Sequence, residues 1–318
     1  MATYNENHRR EPAASNRRRE KAASAWNFDG SYGSPVPPVP SSAERSDQID
    51  CYGATDVGLV RPDNQDQFLI AQTTRTLSVY QTSVGLAGSS PLLGRAQGHL
   101  FVVADGMGGH AGGTTASTLA VETLAHYVLD LMPWFARMDA ARDTAVAEAM
   151  KTALASCQDR VAEAAEKDAS KRQMGTTVTL AYVQWPTLLV AHVGDSRCYL
   201  YREAQLQQLT QDHTVEEQLR ERGVAPGEEG VVSRWSHVLW NAVGGGTPEL
   251  WPEVRLLPLR RGDTLLLCTD GLTKHVPAEV IAATLEAGEP AARSCQRLIE
   301  AANAAGGTDN ITVLVVRY

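Results

Sequence analysis

The sequence has no apolar run approaching the roughly 18 residues needed to span a bilayer. Runs such as Leu265-Leu266-Leu267-Cys268 are only strand-sized. The N-terminus carries charge but no apolar core segment, so it does not read as a secretory signal. Paired cysteines are missing too. Cys51, Cys157, Cys198, Cys268 and Cys295 are odd in number, scattered and never spaced C-x-x-C. That argues against a disulfide framework or a zinc site and fits a reducing cytoplasm. Positive charge is also scarce. The formal net charge is −8, with about +1 on residues 1–48 and −9 on the rest. An acidic body is a poor match for phosphate backbones but concentrates cations. The expectation is a cytoplasmic protein with neither a membrane nor a nucleic-acid partner.

What is present divides at about residue 48. Residues 1–48 are rich in Arg, Glu, Ser, Ala and Pro and poor in branched apolar residues. Such a stretch cannot offset the entropy of ordering and reads as a disordered tail. It holds a basic cluster, Arg17-Arg18-Arg19 with Lys21, read as a solvated tail or an anionic docking site. It also holds a Pro-rich stretch over 35–40, read as a stiff linker or a polyproline ligand. Residues 49–318 contain short runs of strand length and β-branched content at 67–71, 99–104, 176–183, 187–193, 198–201, 254–257, 264–268 and 311–316. Apolar residues between Thr115 and Leu131 recur at three- and four-residue steps, which predicts an amphipathic helix. Further helices are expected over 141–167, 277–285 and 291–305. Strands, a helix pair, more strands and a second helix pair point to an α+β fold of packed antiparallel sheets with helices outside. Residues 73–97 read as a loop insert, and no internal repeat is visible.

Aspartates terminate several apolar runs. Phe101-Val-Val-Ala-Asp105-Gly106 and Leu265-Leu-Leu-Cys-Thr-Asp270-Gly271 share one form, strand then Asp then Gly. Arg61-Pro-Asp-Asn64-Gln65-Asp66 precedes one strand and Gly306-Gly-Thr-Asp309-Asn310 another. Any one of these is a common turn. Four on neighbouring strands would converge at one rim, where carboxylates repel unless a cation sits among them. Oxygen donors without a His/Cys cluster suit magnesium or manganese. A glycine after the Asp lets backbone come close enough for its carbonyl to join.

Read in order, Arg61-x-x-Asn-Gln-Asp66, Val103-Ala-Asp-Gly-Met-Gly-Gly-His110, Gly175-Thr-Thr177, His192-Val-Gly-Asp-Ser-Arg197, Leu209-Thr-Gln-Asp-His-Thr214, Cys268-Thr-Asp-Gly-Leu272 and Gly307-Thr-Asp-Asn-Ile-Thr312 resemble the successive motifs of bacterial type-2C (PPM) protein serine/threonine phosphatases. The resemblance covers about residues 51–318. It implies a four-layer α-β-β-α sandwich, two packed antiparallel sheets flanked by helix pairs, with a bimetal centre at one end. It implies two divalent cations, Mn2+ or Mg2+, with Asp105 bridging them and the Gly106 carbonyl on one. Asp270 and Asp309 would hold the other, and Asp66 would order metal-bound water. Arg61 would grip the substrate phosphate as a bidentate fork, and His110 would act as general acid. Attack on phosphorus would come from water activated by both cations, without a covalent intermediate. The implied partners are phosphorylated proteins, substrates of a serine/threonine kinase, and the implied state is a monomer. Residues 214–243 correspond to a flap-like segment.

Elsewhere the residues read as structural. Asp195 is expected in a turn with outer hydrogen bonds, the alternative being a contact with metal-bound water; His213 is expected at a helix start capped by Thr214 or Asp212, His126 in packing, and Met107 under its loop. The sequence departs from the family in four places. Gln65 stands where many members have Glu, and Asn241 where an Arg is usual. Arg172/Gln173 and Lys274 replace the acids of a third, looser metal, so two bound metals are expected. Lys274 is expected beside Asp270. Two other readings stay open: a pseudophosphatase that binds phosphoproteins, and a hydrolase of small phosphate esters.

Overall fold

A computed structural model describes residues 49–74, 76–77, 92–93, 98–130, 143–223, 235, 238–247 and 249–318. The tail expected over 1–48, most of the 73–97 insert and much of the 214–243 segment lie outside these residues. In chain order the structure begins with β1 (Asp50–Asp56), β2 (Gln67–Thr73), β3 (Thr76–Leu77), β4 (Leu92–Leu93), β5 (Gly98–Ala104) and β6 (Gly106–Met107). Helices α1 (His110–Asp130) and α2 (Asp143–Lys167) follow. Next come β7 (Gly175–Thr176), β8 (Val178–Gln184), β9 (Thr187–Val193), β10 (Arg197–Arg202) and β11 (Gln205–Gln208). After α3 (Val215–Glu221) come β12 (Val243–Gly244), β13 (Glu253–Pro258) and β14 (Thr264–Cys268). The chain closes with α4 (Asp270–Thr273), α5 (Ala278–Glu286), α6 (Ala291–Ala304) and β15 (Ile311–Arg317).

Two five-stranded antiparallel sheets carry the fold, in the orders β1-β15-β14-β10-β11 and β13-β9-β8-β5-β2. Their central strands are buried on both faces, so alternate residues enter different cores. Phe101, Val103, Leu265, Leu267, Leu314 and Val316 pack between the sheets. Leu100, Val102 and Leu180 turn the other way, onto Leu124 of α1 and Met150 and Leu154 of α2. Leu266, Val313 and Val315 meet Ile281, Leu285 and Leu298 of α5 and α6. This is the expected four-layer α-β-β-α sandwich.

Three local readings are corrected. β1 was not foreseen, because its sequence mixes acids with Gly53. It forms because β15 offers a complete antiparallel register, Asp50↔Arg317 through Asp56↔Ile311. Gly53 is required there, since a Cβ would run into the Phe68 ring. Helix α1 starts at His110, five residues before the periodic pattern. Its glycine-rich first turn packs backbone to backbone, and a Cβ on Gly113 would strike Gly106. His126 on this helix is exposed rather than packed.

Candidate metal centre

The sheets present their acid-bearing ends at one rim. Asp66 immediately precedes β2 and Asp105 immediately follows β5, and their flanking residues Gln67 and Ala104 are paired. In the other sheet Asp270 follows β14 and Asp309 precedes β15, with Cys268 opposite Val313. Antiparallel pairing therefore brings one acid from a strand end beside another from a strand start, twice.

Asp66 is buried. Its Oδ2 accepts from Thr269 Oγ1 at 2.8 Å and Thr312 Oγ1 at 2.7 Å. Its Oδ1 is buried with no hydrogen-bond partner among the described residues, and so is Asp270 Oδ1. Orphaned buried carboxylate oxygens are rare because each forfeits its hydration. Burial foremost pushes the Asp66 carboxyl up to about 7, against the two threonine hydrogen bonds, and the charges of Asp270 and Asp309 add to the rise. The Asp105 carboxyl is raised well above its ordinary range, first by burial and then by Asp66, Asp270, Asp195 and Asp309. Its backbone is fixed by three bonds: its N–H donates to Thr177 Oγ1 (3.0 Å), and its carbonyl accepts from Thr177 N (2.9 Å) and Thr176 Oγ1 (2.8 Å). Gly106 lies so close to the Gly113 and Gln65 carbonyls that a Cβ would collide with both. A Cβ on Gly271 would likewise collide with the Asn310 carbonyl.

Asp309 differs from the others. Its Oδ1 accepts from Arg61 Nε at 2.9 Å and from Asn310 N at 3.0 Å. Its Oδ2 accepts from Arg61 Nη2 at 3.1 Å and from Lys274 Nζ at 2.9 Å. Lys274 Nζ also lies 2.5 Å from Asp270 Oδ2. Burial alone would raise the Asp309 carboxyl, but the Lys274 hydrogen bond and charge, with Arg61, hold it below its ordinary value. Burial would likewise lower the Lys274 ammonium, yet Asp270 and Asp309 outweigh it and raise it.

Of the site residues expected from sequence, the structure brings Asp66, Asp105, Gly106, Asp270 and Asp309 to one rim, with Arg61 on Asp309. His110 is the first residue of α1, and its side chain lies outside the described part. The structure adds Asp195, one turn beyond β9. It is buried, and burial foremost, then Asp270, pushes its carboxyl up to about 8. The signal was present, since Asp195 also ends an apolar run. The added threonines, Thr269 and Thr312, were motif letters whose role only the fold reveals. Asn241 points inward: its Nδ2 donates to the Trp251 carbonyl at 2.7 Å, and its Oδ1 accepts from Trp251 N at 3.1 Å. Thr214 caps α3, whereas Asp212 pairs with Arg197 instead.

A second group, His192, His213 and Glu253, has ligand atoms within 4.8 Å of one another. Its members are already engaged. His192 Nδ1 meets Thr179 Oγ1 at 2.8 Å and Nε2 meets the Gly194 carbonyl at 2.9 Å. Glu253 Oε2 accepts from Gln211 N at 2.9 Å. Burial lowers the His192 ring to about 3, which keeps it neutral. This group ties β9 to the following loops.

The donor set at the acid rim, orphaned carboxylate oxygens beside a backbone too crowded for a Cβ, fits divalent cations of the magnesium or manganese kind. Residues 92–314 match the Protein phosphatase 2C family. The chain belongs to that family. It is 34% identical over 263 residues to the serine/threonine protein phosphatase PstP of Mycobacterium tuberculosis, covering 82% of this chain and 43% of PstP. It thus spans less than half the length of that relative. It is 34% identical over 225 residues to the serine/threonine phosphatase Stp of Listeria monocytogenes, covering 68% of this chain and 83% of Stp. A crystal structure of M. tuberculosis PstP superposes with a TM-score of 0.66 at 30% identity, over 85% of this chain and 98% of that one. The PstP catalytic domain in complex with two manganese ions gives 0.65 at 31% identity, over 85% and 97%.

Proposed function

We propose that this chain is a metal-dependent protein phosphatase that hydrolyses phosphoserine and phosphothreonine in proteins. The observation that carries the reading is the convergence of Asp66, Asp105, Asp195, Asp270 and Asp309, with buried oxygens on Asp66 and Asp270 that no donor among the described residues satisfies. Asp105 and the Gly106 carbonyl, Asp66, Asp270 and Asp309 would hold two divalent cations, manganese or magnesium. When bound, such cations polarise the phosphoryl oxygens and make water nucleophilic at neutral pH. Thr269 and Thr312 hold Asp66 in one orientation, leaving its other oxygen for the site. Arg61, half-exposed on Asp309, offers a planar fork that suits a phosphate dianion bidentately. His110, at the start of α1, is assigned as the acid that protonates the departing serine or threonine oxygen.

No thiol takes part. Burial pushes Cys157, Cys268 and Cys295 up to about 12, so none supplies a thiolate near pH 7. Among the described residues no helix is long and apolar enough to cross a membrane. A cytoplasmic monomer opposing a serine/threonine kinase, with 214–243 as a flap beside the substrate, completes the reading. The test compares a phosphothreonine peptide with an aryl phosphate, with manganese and with EDTA. We expect hydrolysis of both, abolition by EDTA and indifference to thiol alkylation. Peptide binding without turnover, or turnover of the small ester alone, would contradict the proposal. His110→Ala is expected to slow the peptide roughly 10²–10⁴-fold and the aryl ester far less, since only the alkoxide needs a proton to leave. Equal losses would remove His110 from the chemistry.

A further inference from the structure

The acid rim is not evenly open. Asp66 and Asp270 each keep one buried oxygen without a partner, whereas both oxygens of Asp309 are engaged by cationic side chains. Lys274 stands one helical turn beyond Asp270, at the i,i+4 spacing that places its side chain over the same face. Its ammonium reaches Asp270 Oδ2 and Asp309 Oδ2 together, at 2.5 and 2.9 Å. The site is mostly shielded, with Lys274, Asp270 and Asp309 side chains only 23%, 13% and 17% exposed. A charge held there is screened far less than a surface pair. The backbone fixes this arrangement, because Lys274 N donates to the Asp270 carbonyl at 2.8 Å and closes the turn.

We infer that Lys274 is a built-in counter-cation of Asp270 and Asp309, so that a divalent ion reaches Asp309 only by displacing its ammonium. The inference rests on the metal reading of the preceding section. Two consequences separate it from a mere surface ion pair. The metal-free protein keeps this end of its acid cluster neutralised from within. The two metal positions load unequally: the one served by Asp105, the Gly106 carbonyl and the orphaned oxygen of Asp66 fills first, and the one held by Asp270 and Asp309 fills against an ammonium that occupies part of its space and charge. Lys274 is therefore a positioning residue, acting on the substrate only through the ions it admits. Arg61 shares the exchange, since the same Asp309 must release it before it can grip a phosphate.

The test is calorimetric titration of the full chain with manganese, for the wild type, Lys274→Met and Lys274→Gln, paired with thermal melts in EDTA. Methionine keeps most of the stem and removes the charge, and glutamine guards against a folding defect peculiar to methionine. We expect the wild type to bind two ions with clearly different affinities. In both variants the weaker site should tighten at least about tenfold, while the metal-free melting temperature falls by roughly 2–6 °C as the acids lose their partner. A generally damaged protein would bind metal more weakly, not more tightly. Two sites with unchanged affinities in folded variants would overturn the inference alone. Absence of manganese binding to every form would overturn the metal reading and the inference with it.

Discussion

Two sets of buried and half-buried acids in this molecule have opposite accounts of their charge. Asp263, only 2% exposed, receives a bidentate fork from Arg202, Nε to Oδ1 at 2.8 Å and Nη2 to Oδ2 at 2.6 Å, and the Arg260 N–H adds a third bond at 2.7 Å. Asp212 is gripped the same way by Arg197, Nε at 2.9 Å and Nη2 at 2.6 Å. Every negative charge there has a guanidinium in place, so those acids hold β10 to its neighbours and do nothing else. At the rim, Asp66 has hydroxyls but no cationic partner among the described residues, Asp66 and Asp270 carry orphaned oxygens, and Asp66, Asp105 and Asp195 are pushed upward first by burial and then by neighbouring carboxylates, Asp270 among them in each case. A fold able to pair its acids so completely in one place leaves them under-compensated in another only where something from outside supplies the charge.

Breaking the compensated set should cost most. Arg202→Ala strands a buried carboxylate and is expected to destabilise the protein by about 2–4 kcal/mol, with or without metal. Urea denaturation in EDTA and in manganese checks it, and a loss seen only in EDTA would blur the distinction between the two regions. The rim should respond with the opposite sign. Asp66→Asn removes one of several repelling charges and is expected to raise the metal-free stability by about 1 kcal/mol, or roughly 2–4 °C. The same substitution should weaken manganese binding. A lower metal-free melting temperature would mean that the rim acids are structural after all.

The pH dependence sharpens the same contrast. Asp66 and Asp195, at about 7 and about 8, lie above the ordinary carboxylate value. A raised carboxyl favours the folded state while it is protonated and loses that contribution as pH rises through its folded value. Without metal, these two groups should therefore lower the melting temperature as pH rises from about 4 to about 8, and saturating manganese should flatten or reverse the trend. A flat metal-free profile across that window would contradict the reading.

The acid rim was legible because each strand announced its end with an acid. Asp66, Asp105, Asp270 and Asp309 stood at the borders of apolar runs, and antiparallel pairing does the rest. The central strands were equally plain, being apolar on both faces. β1 was not legible, since its stability comes from β15 and from the space Gly53 leaves for Phe68. The early start of α1 was hidden in glycines whose packing carries no hydrophobic period. Asp195 reads as a turn residue with outer hydrogen bonds or a contact to metal-bound water, and its burial near Asp270 depends on where β9 ends. The second engagement of Lys274, with Asp309 from the far side of the chain, no local spacing could reveal.

The account rests on the uncompensated rim acids being a cation site that drives phosphoester hydrolysis. Asp105 is faced by all four of the others and belongs to no ion pair among the described residues, so its replacement tests that claim most directly. The measurement is the rate of phosphothreonine-peptide hydrolysis by wild type and Asp105→Asn across a manganese titration, with the fold of both checked by circular dichroism. We predict a folded variant whose rate is lower by at least about 10³-fold at every manganese concentration. Full recovery of the wild-type rate at high manganese would contradict the assignment of Asp105 as the carboxylate that organises both ions.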